Sequence, residues 1–330
     1  MSERCTKTKN RGTAVRKELL IDLNRLPNVL MLGNGILRLN GGGDWAALLK
    51  DIQNPPPGDT NLDGIPFAMQ PECLCGTDVE EVQRKTALSI KTGKPHPILE
   101  QLLSLPFDAI LTTNYTYEIE ETLTGKDWSD DKERRKAFTA LDGNPKVRHN
   151  THICNQIKTK NGKDVPVFHI HGEKARKHSL ILSYYSYASS VFRLIELNRK
   201  RANTYQEYQS EGKKISCLSW LDYFLIGNVY AVGFGFDPSE FDVWWAIERK
   251  AREKAEHGKL NAYIIGNPVK HLPQDVLLPA MNMSLIRISD ENGYPSAYQS
   301  IFREIQESFE IMSRDEYKHD LAVPNGRQKT

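Results

Sequence analysis

Five short apolar runs in this chain each close on glycine or on a small polar cluster. Asn28-Val29-Leu30-Met31-Leu32 leads into Gly33-Asn34-Gly35, and Phe107-Asp108-Ala109-Ile110-Leu111 leads into Thr112-Thr113-Asn114-Tyr115. Val165 to His171 stops at Gly172, Gly227 to Gly235 carries the glycine-rich end Gly233-Phe234-Gly235-Phe236-Asp237, and Leu260 to Gly266 meets Asn267. Runs of this length, apolar on both faces and bounded by glycine, read as buried strands. Most are separated by segments with helical spacing, which predicts an α/β fold with a mostly parallel sheet covered on both faces. Ligands bind such sheets outside the carboxyl ends of the strands, and those are the ends where the polar residues fall.

The remaining organisation follows from local signals. Trp45–Ile52 reads as a helix with Asp44 as N-cap, residues 53–76 as a long loop, and residues 77–105 as helical with breaks at Pro95 and Pro97. A helix is expected from Glu118. The charged stretch 124–164 reads as a surface insertion, and Ser179–Tyr184 and Ser284–Ile288 as further strands. Residues 186–225 read as mostly helical, with Arg199-Lys200-Arg201 on a solvated face. Pro238–Glu256 reads as a helix with proline in its first turn. A last amphipathic helix is expected over 297–312, with a polar tail at 313–330 and an arm or helix at 1–27. The expectation is one α/β unit over 28–312, with insertions around 53–105 and 124–164.

Charge and cysteine usage narrow the function class. Lys and Arg number 44 against 42 Asp and Glu, a net charge of +2, which is too balanced to point to nucleic acid. The five cysteines stand at 5, 73, 75, 154 and 217 with no CxxC pair, against both a disulfide framework and a structural zinc site. The polar, basic start has no apolar h-region, and no stretch nears the ~18 apolar residues of a membrane span. A cytoplasmic protein without membrane association is expected.

Each strand end offers chemistry and also a plainer use. Gly33, Asn34 and Gly35 could bring backbone amides to a phosphate or form a tight turn; the third glycine of the dehydrogenase fingerprint is missing. Thr112, Thr113, Asn114 and Tyr115 put hydroxyls and an amide at a strand end. Asn114 could orient water or a ribose hydroxyl, or it could cap the next helix. His169 and His171 are two apart, on one face of a strand. His171, beside Gly172, is the better general base; His169 is expected to pack within the sheet. Gly233 and Gly235 could make room for a dinucleotide, with Asp237 capping the following helix. Asn267 could reach a ribose or serve a plain turn. Trp244 and Trp245 point about 100° apart on a helix, so either one broad buried face covers both or one reaches a second surface.

In their order and spacing these pieces resemble the sirtuin superfamily, and more closely the sirtuin-like domains of bacterial anti-phage defence proteins. The matching stretches are NVLMLGNGILRLNGGGDWAALL (28–49), FDAILTTNYTYEIEETL (107–123), VFHIHG (167–172) with SLILSYYSYA (179–188), and NVYAVGFGFDPSEFDVWWAI (228–247). Gly64-Ile65-Pro66-Phe67 is similar to that family's GIPDFR loop, though far from Gly35 in the chain. The resemblance implies a Rossmann-like domain that binds NAD⁺, with Asn114 and His171 catalytic. The cofactor-binding set implied is Gly33, Asn34, Gly35, Thr112, Thr113, Tyr115, Gly233, Gly235, Asp237 and Asn267. The chain departs from the family in lacking the four-cysteine zinc module of the deacylases and in carrying Thr116 where Asp is usual.

The implied activity is hydrolysis of NAD⁺ to nicotinamide and ADP-ribose, with no metal, depleting NAD⁺ in defence. Control is expected through a homo-oligomer or a second defence protein that senses the trigger. Two other readings remain open. An NAD-dependent protein deacylase would turn over acetyl-peptides. A non-catalytic NAD⁺ or ADP-ribose sensor would bind the dinucleotide without releasing nicotinamide.

Overall fold

The computed structural model of the chain describes residues 19–322, apart from residues 24, 53–60, 130, 145–148, 211–213, 253–256, 268, 269 and 271. The expected arm over 1–18, the proline run of the 53–76 loop, the end of the helix expected to reach Glu256, and the tail past 322 lie outside the described residues.

In chain order, β1 (Leu20–Asp22) and β2 (Asn28–Leu32) precede α1 (Trp45–Ile52), α2 (Gln70–Cys75), α3 (Val79–Ser89) and α4 (Pro97–Ser104). Then come β3 (Ala109–Thr112), α5 (Glu118–Thr124), α6 (Asp131–Ala137), β4 (Phe138–Ala140), β5 (Ile153–Lys158) and β6 (Asp164–His169). The second half holds α7 (Tyr184–Ser210), β7 (Lys214–Ser216), α8 (Trp220–Ile226), β8 (Asn228–Val232) and α9 (Phe241–Ala251). It closes with β9 (Leu260–Ile265), α10 (Gln274–Ala280), β10 (Ser284–Ile288) and α11 (Tyr294–Ala322).

Eight strands form one sheet in the order β10-β9-β8-β2-β3-β6-β5-β4. The six from β10 to β6 run parallel, and β5 and β4 add an antiparallel edge. From β2 the chain steps outward through β3 and β6, then returns to the other side of β2 as β8 and steps outward through β9 and β10. The order thus reverses between β2 and β8, which opens a crevice at their carboxyl ends. This is an α/β, Rossmann-like architecture.

Strand periodicity explains why the sheet is covered on both faces. In β2, Val29 and Met31 face one core with Phe168, Ala231, Leu194, Phe224 and Val243. Leu30 and Leu32 face the other with Ile110, Val167, Val232, Leu99 and Ile301. Alternate residues enter different cores, so both sets must be apolar.

Several expectations change. Ser179–Tyr184 is not a strand: Leu180 and Leu182 are fully buried, but the backbone is satisfied outside any ladder. Ile181 N donates to His171 O (2.8 Å), Gln83 Nε2 to Leu180 O (2.8 Å) and Asn150 Nδ2 to Ser179 O (2.6 Å). The charged stretch 124–164 supplies α6, β4 and β5, so it extends the sheet rather than looping over the surface. The presumed loop 53–76 contains α2, and the N-terminal arm contains β1, which pairs with β7. The helix expected from Pro238 begins at Phe241, and the last helix runs from Tyr294 through Ala322, past both expected ends. Trp244 and Trp245 are half-buried against the first core, as one broad apolar face requires.

Arg201 is likewise not solvated. It is buried, with Nε donating to Asp222 Oδ1 (3.1 Å) and a guanidinium NH₂ to Ser216 O (2.7 Å). Asp222 Oδ2 also accepts from Leu218 N (2.7 Å) and Ser219 N (2.9 Å), fixing the start of α8. Asp222→Ala leaves that buried guanidinium without its carboxylate, so it should cost about 3–5 kcal/mol of stability. Urea unfolding measures this, and a loss below about 1 kcal/mol would show the pair to be dispensable.

Candidate active site

A cavity of about 570 Å³ opens along the carboxyl ends of β2, β3, β8 and β9. That is within the range of small-molecule sites. Of the residues singled out in the sequence, Asn34, Gly35, Thr113, Asn114, Tyr115, His171, Gly233, Gly235 and Asp237 line it. Phe67, from the GIPF stretch, lines it too. Gly33, Thr112 and Asn267 do not.

Gly33 and Gly35 serve the backbone. Their amides donate to Val232 O (3.0 Å) and Gly233 O (2.9 Å), so they are committed to the β8 loop rather than to a phosphate. A Cβ added at Gly33 would fall 2.3 Å from Gly233 O, so only glycine lets the two loops cross this closely. Asn34 Nδ2 donates to Gly43 O (2.6 Å) and folds the 33–43 loop over the cavity. Thr112 is fully buried; its Oγ1 donates to Leu32 O (2.9 Å) and accepts from Asn114 N (3.1 Å). Asn267 is exposed.

Asn114 is not a helix cap, because α5 starts after Tyr117 with no side-chain cap. Its Nδ2 donates to Gly33 O (3.2 Å), which leaves the amide oxygen as the acceptor for a ligand. Asp237 is not a cap either. It accepts from Ser239 N (2.8 Å) and from the Ser239 hydroxyl, while Glu240 occupies the N-cap position of α9. Phe236, between Gly235 and Asp237, is held at a left-handed φ of 51° while buried, a strained backbone at the mouth of the site.

The two histidines do not share a face. β6 ends at His169, and the chain turns at Gly172 (φ 96°), where a Cβ would lie 2.3 Å from Ser179 O. Strand alternation therefore stops before His171. His169 turns toward α5: Nε2 meets Glu120 Oε1 at 2.8 Å and Nδ1 meets Asn114 O at 2.7 Å. Burial disfavours its charged form, but the Glu120 carboxylate prevails and raises its pKa to about 9.

His171 turns toward α9. Nε2 meets Asp242 Oδ1 at 3.1 Å, and Ser190 Oγ donates to Asp242 Oδ2 at 2.7 Å. The Tyr187 ring packs edge-on against the imidazole at 5.3 Å. Nδ1 lies 4.0 Å from Glu240 Oε1, a gap that a hydroxyl or water can bridge. Burial works against charge on His171, but Asp242 and then Glu240 outweigh it and raise its pKa. Burial pushes the Glu240 carboxyl up to about 7, with His171 opposing and Asp242 and Asp237 assisting.

Glu240, Asp242 and Arg38 were missed in the sequence. Two acids at a helix start ordinarily read as partners of the helix dipole. Arg38 lines the cavity after the 33–35 turn; its guanidinium is 59% exposed and 3.9 Å from Asp44. Among the described residues, no group of three or more His, Cys, Asp or Glu side chains is placed to hold a metal ion, and no helix is long and apolar enough to cross a membrane.

The raised pKa of His169 sets a sign for stability against pH. A histidine raised from about 6.5 unfolded to about 9 folded stabilises fully below pH 6.5, and that contribution is lost as pH rises toward 9. Wild-type unfolding free energy should fall over pH 6.5–9 more steeply than that of His169→Ala, which starts lower. Parallel slopes would show that His169 is neutral in the fold.

The sequence matches no protein-family model and no curated protein, so the reading of this site rests on its geometry and on the motifs that form it.

Proposed function

We propose that the cavity hydrolyses the N-glycosidic bond between nicotinamide and ribose in NAD⁺, releasing nicotinamide and ADP-ribose. The observation that carries this reading is the meeting of Asn114 and His171 in one cavity at the point where the strand order reverses. That crevice is where sheets of this order take dinucleotides.

The leaving group needs no acid, because the pyridinium nitrogen already carries the positive charge. As the C–N bond breaks, its electron pair goes to nicotinamide and the ribose becomes oxocarbenium-like. Water adds to the anomeric carbon and gives up one proton. Asn114, through its amide oxygen, orients a ribose hydroxyl. His171 accepts the proton at Nδ1, since Asp242 holds Nε2–H. Glu240, across the 4.0 Å gap, accepts a hydrogen bond from the second O–H of that water, which leaves Asn114 to a ribose hydroxyl, and it stabilises developing positive charge. Arg38 answers the diphosphate, a role the committed Gly33 and Gly35 amides do not fill. The motif resemblance supports a role in depleting NAD⁺ during bacterial defence, switched by self-association or a second protein.

Nicotinamide release from NAD⁺ by the purified chain tests the reading. Asn114→Ala and His171→Ala should each lower kcat by about 10²–10⁴-fold with the fold intact. Tight binding of intact NAD⁺ without release would replace the hydrolase with a sensor, and acetyl-peptide turnover would replace it with a deacylase.

The pH profile gives a second check. The His171–Glu240 pair titrates as a unit on the acidic limb of kcat/KM. Asp242 raises His171 against burial, so Asp242→Asn should move that limb to lower pH while reducing kcat. An unmoved limb would take His171 out of the proton transfer.

A further inference from the structure

If the scissile bond lies at Asn114 and His171, the dinucleotide extends from the ends of β3 and β6 across the crevice, and its purine reaches the ends of β8 and β9. The cavity there is lined by Phe234, Ile264, Leu272, Tyr294 and Tyr298, a largely aromatic and aliphatic wall suited to a flat base. One polar side chain in that wall has an unusual status. Gln274, at the start of α10, donates from Nε2 to Gly235 O at 3.1 Å. That bond fixes which end of the amide is nitrogen. Its Oε1 is shielded from solvent and has no hydrogen-bond partner among the described residues. A shielded amide oxygen without a donor is costly and calls for an explanation.

We propose that Gln274 reads the purine of the substrate by accepting a hydrogen bond from the exocyclic 6-amino group of adenine. This rests on the dinucleotide reading of the site. The fixed orientation makes the discrimination one-sided. Adenine presents a donor at position 6, and hypoxanthine presents a carbonyl oxygen there, which would face Oε1 acceptor to acceptor. The pocket would therefore favour adenine dinucleotides over inosine or guanine ones by exclusion as well as attraction. The hydrocarbon wall alone could not separate them, since the bases have nearly the same shape.

Titration calorimetry of the full chain with ADP-ribose and with inosine diphosphate ribose tests this without needing turnover. The adenine ligand should bind about tenfold or more tightly. Gln274→Met, close in volume and apolar, should bring the ratio toward one, chiefly by weakening ADP-ribose, with the thermal midpoint near wild type. Equal wild-type affinities, binding of neither ligand, or a ratio unchanged in Gln274→Met would overturn the proposal. Nicotinamide release from NAD⁺ is scored separately. Purine discrimination without release would sink the hydrolase and leave the base reading standing, and release without discrimination would do the reverse.

Discussion

The imidazole of His169 holds two chain segments together at the base of the site. One nitrogen meets the carbonyl of Asn114 and the other the carboxylate of Glu120 on α5. Asn155 on β5 donates to the same Glu120 oxygen at 3.0 Å, and the Tyr117 hydroxyl donates to Glu173 at 3.0 Å. The position of Asn114 therefore depends on a buried charge pair between β6 and α5, to which the antiparallel edge adds the Asn155 amide. Removing one partner would strand the other away from water, so the network tolerates little change. It also explains what the added strand β5 does: it closes the polar side of a joint that the parallel strands alone would leave open.

The parallel strands were legible because burial on both faces leaves a short apolar run that closes on glycine or a small polar cluster. Their order was not. Nothing in residues 228–232 says that this strand returns to the far side of β2, yet that return creates the crevice. The edge strands were illegible for a different reason. Phe138–Ala140 and Ile153–Lys158 carry polar residues such as Asn155 because they serve the buried network, and they lie in a charged stretch that reads as surface. The opposite error occurred at 179–184. Leu180 and Leu182 are as buried as any strand residue, but hydrogen bonds from Gln83 and Asn150 replace a ladder there, and periodicity carries no trace of such partners.

At the site, the residues found from sequence are those that end strands. Asn114 and His171 announced themselves by position. Their partners did not, because Asp242 and Glu240 reach His171 only through tertiary folding of α9 against α7 and the 170–172 turn. The two-residue spacing of the histidines was also misleading. It holds only while the backbone stays extended, and the left-handed Gly172 ends that condition, sending one ring to α5 and the other to α9. Gly33 and Gly35 show the same limit. Glycine was required, but for the crossing of two loops and not for contact with phosphate.

The charges around the cavity are arranged in a way that bears on the proposed chemistry. Asp237, Asp242 and Glu240 gather at the His171 end, and Asp44, Asp51 and Glu118, whose Oε1 accepts from Gly93 N at 2.8 Å, stand elsewhere along the wall. Arg38 stands apart from the His171 cluster, close enough to Tyr298 to influence its hydroxyl. NAD⁺ has the complementary polarity: a cationic ring on a ribose at one end, and an anionic diphosphate in the middle. During cleavage the positive charge leaves the ring and settles on the ribose. On the proposed reading, acids fixed beside His171 face that ribose, so their attraction grows as the bond breaks. Interactions that strengthen on the way to the transition state accelerate a reaction, whereas uniform attraction to the substrate only tightens binding. The cost of burying so many carboxylates is visible in Glu240, whose proton is held to about pH 7. On the proposed reading, that cost sets a carboxyl of near-neutral strength beside His171, the group that takes the proton.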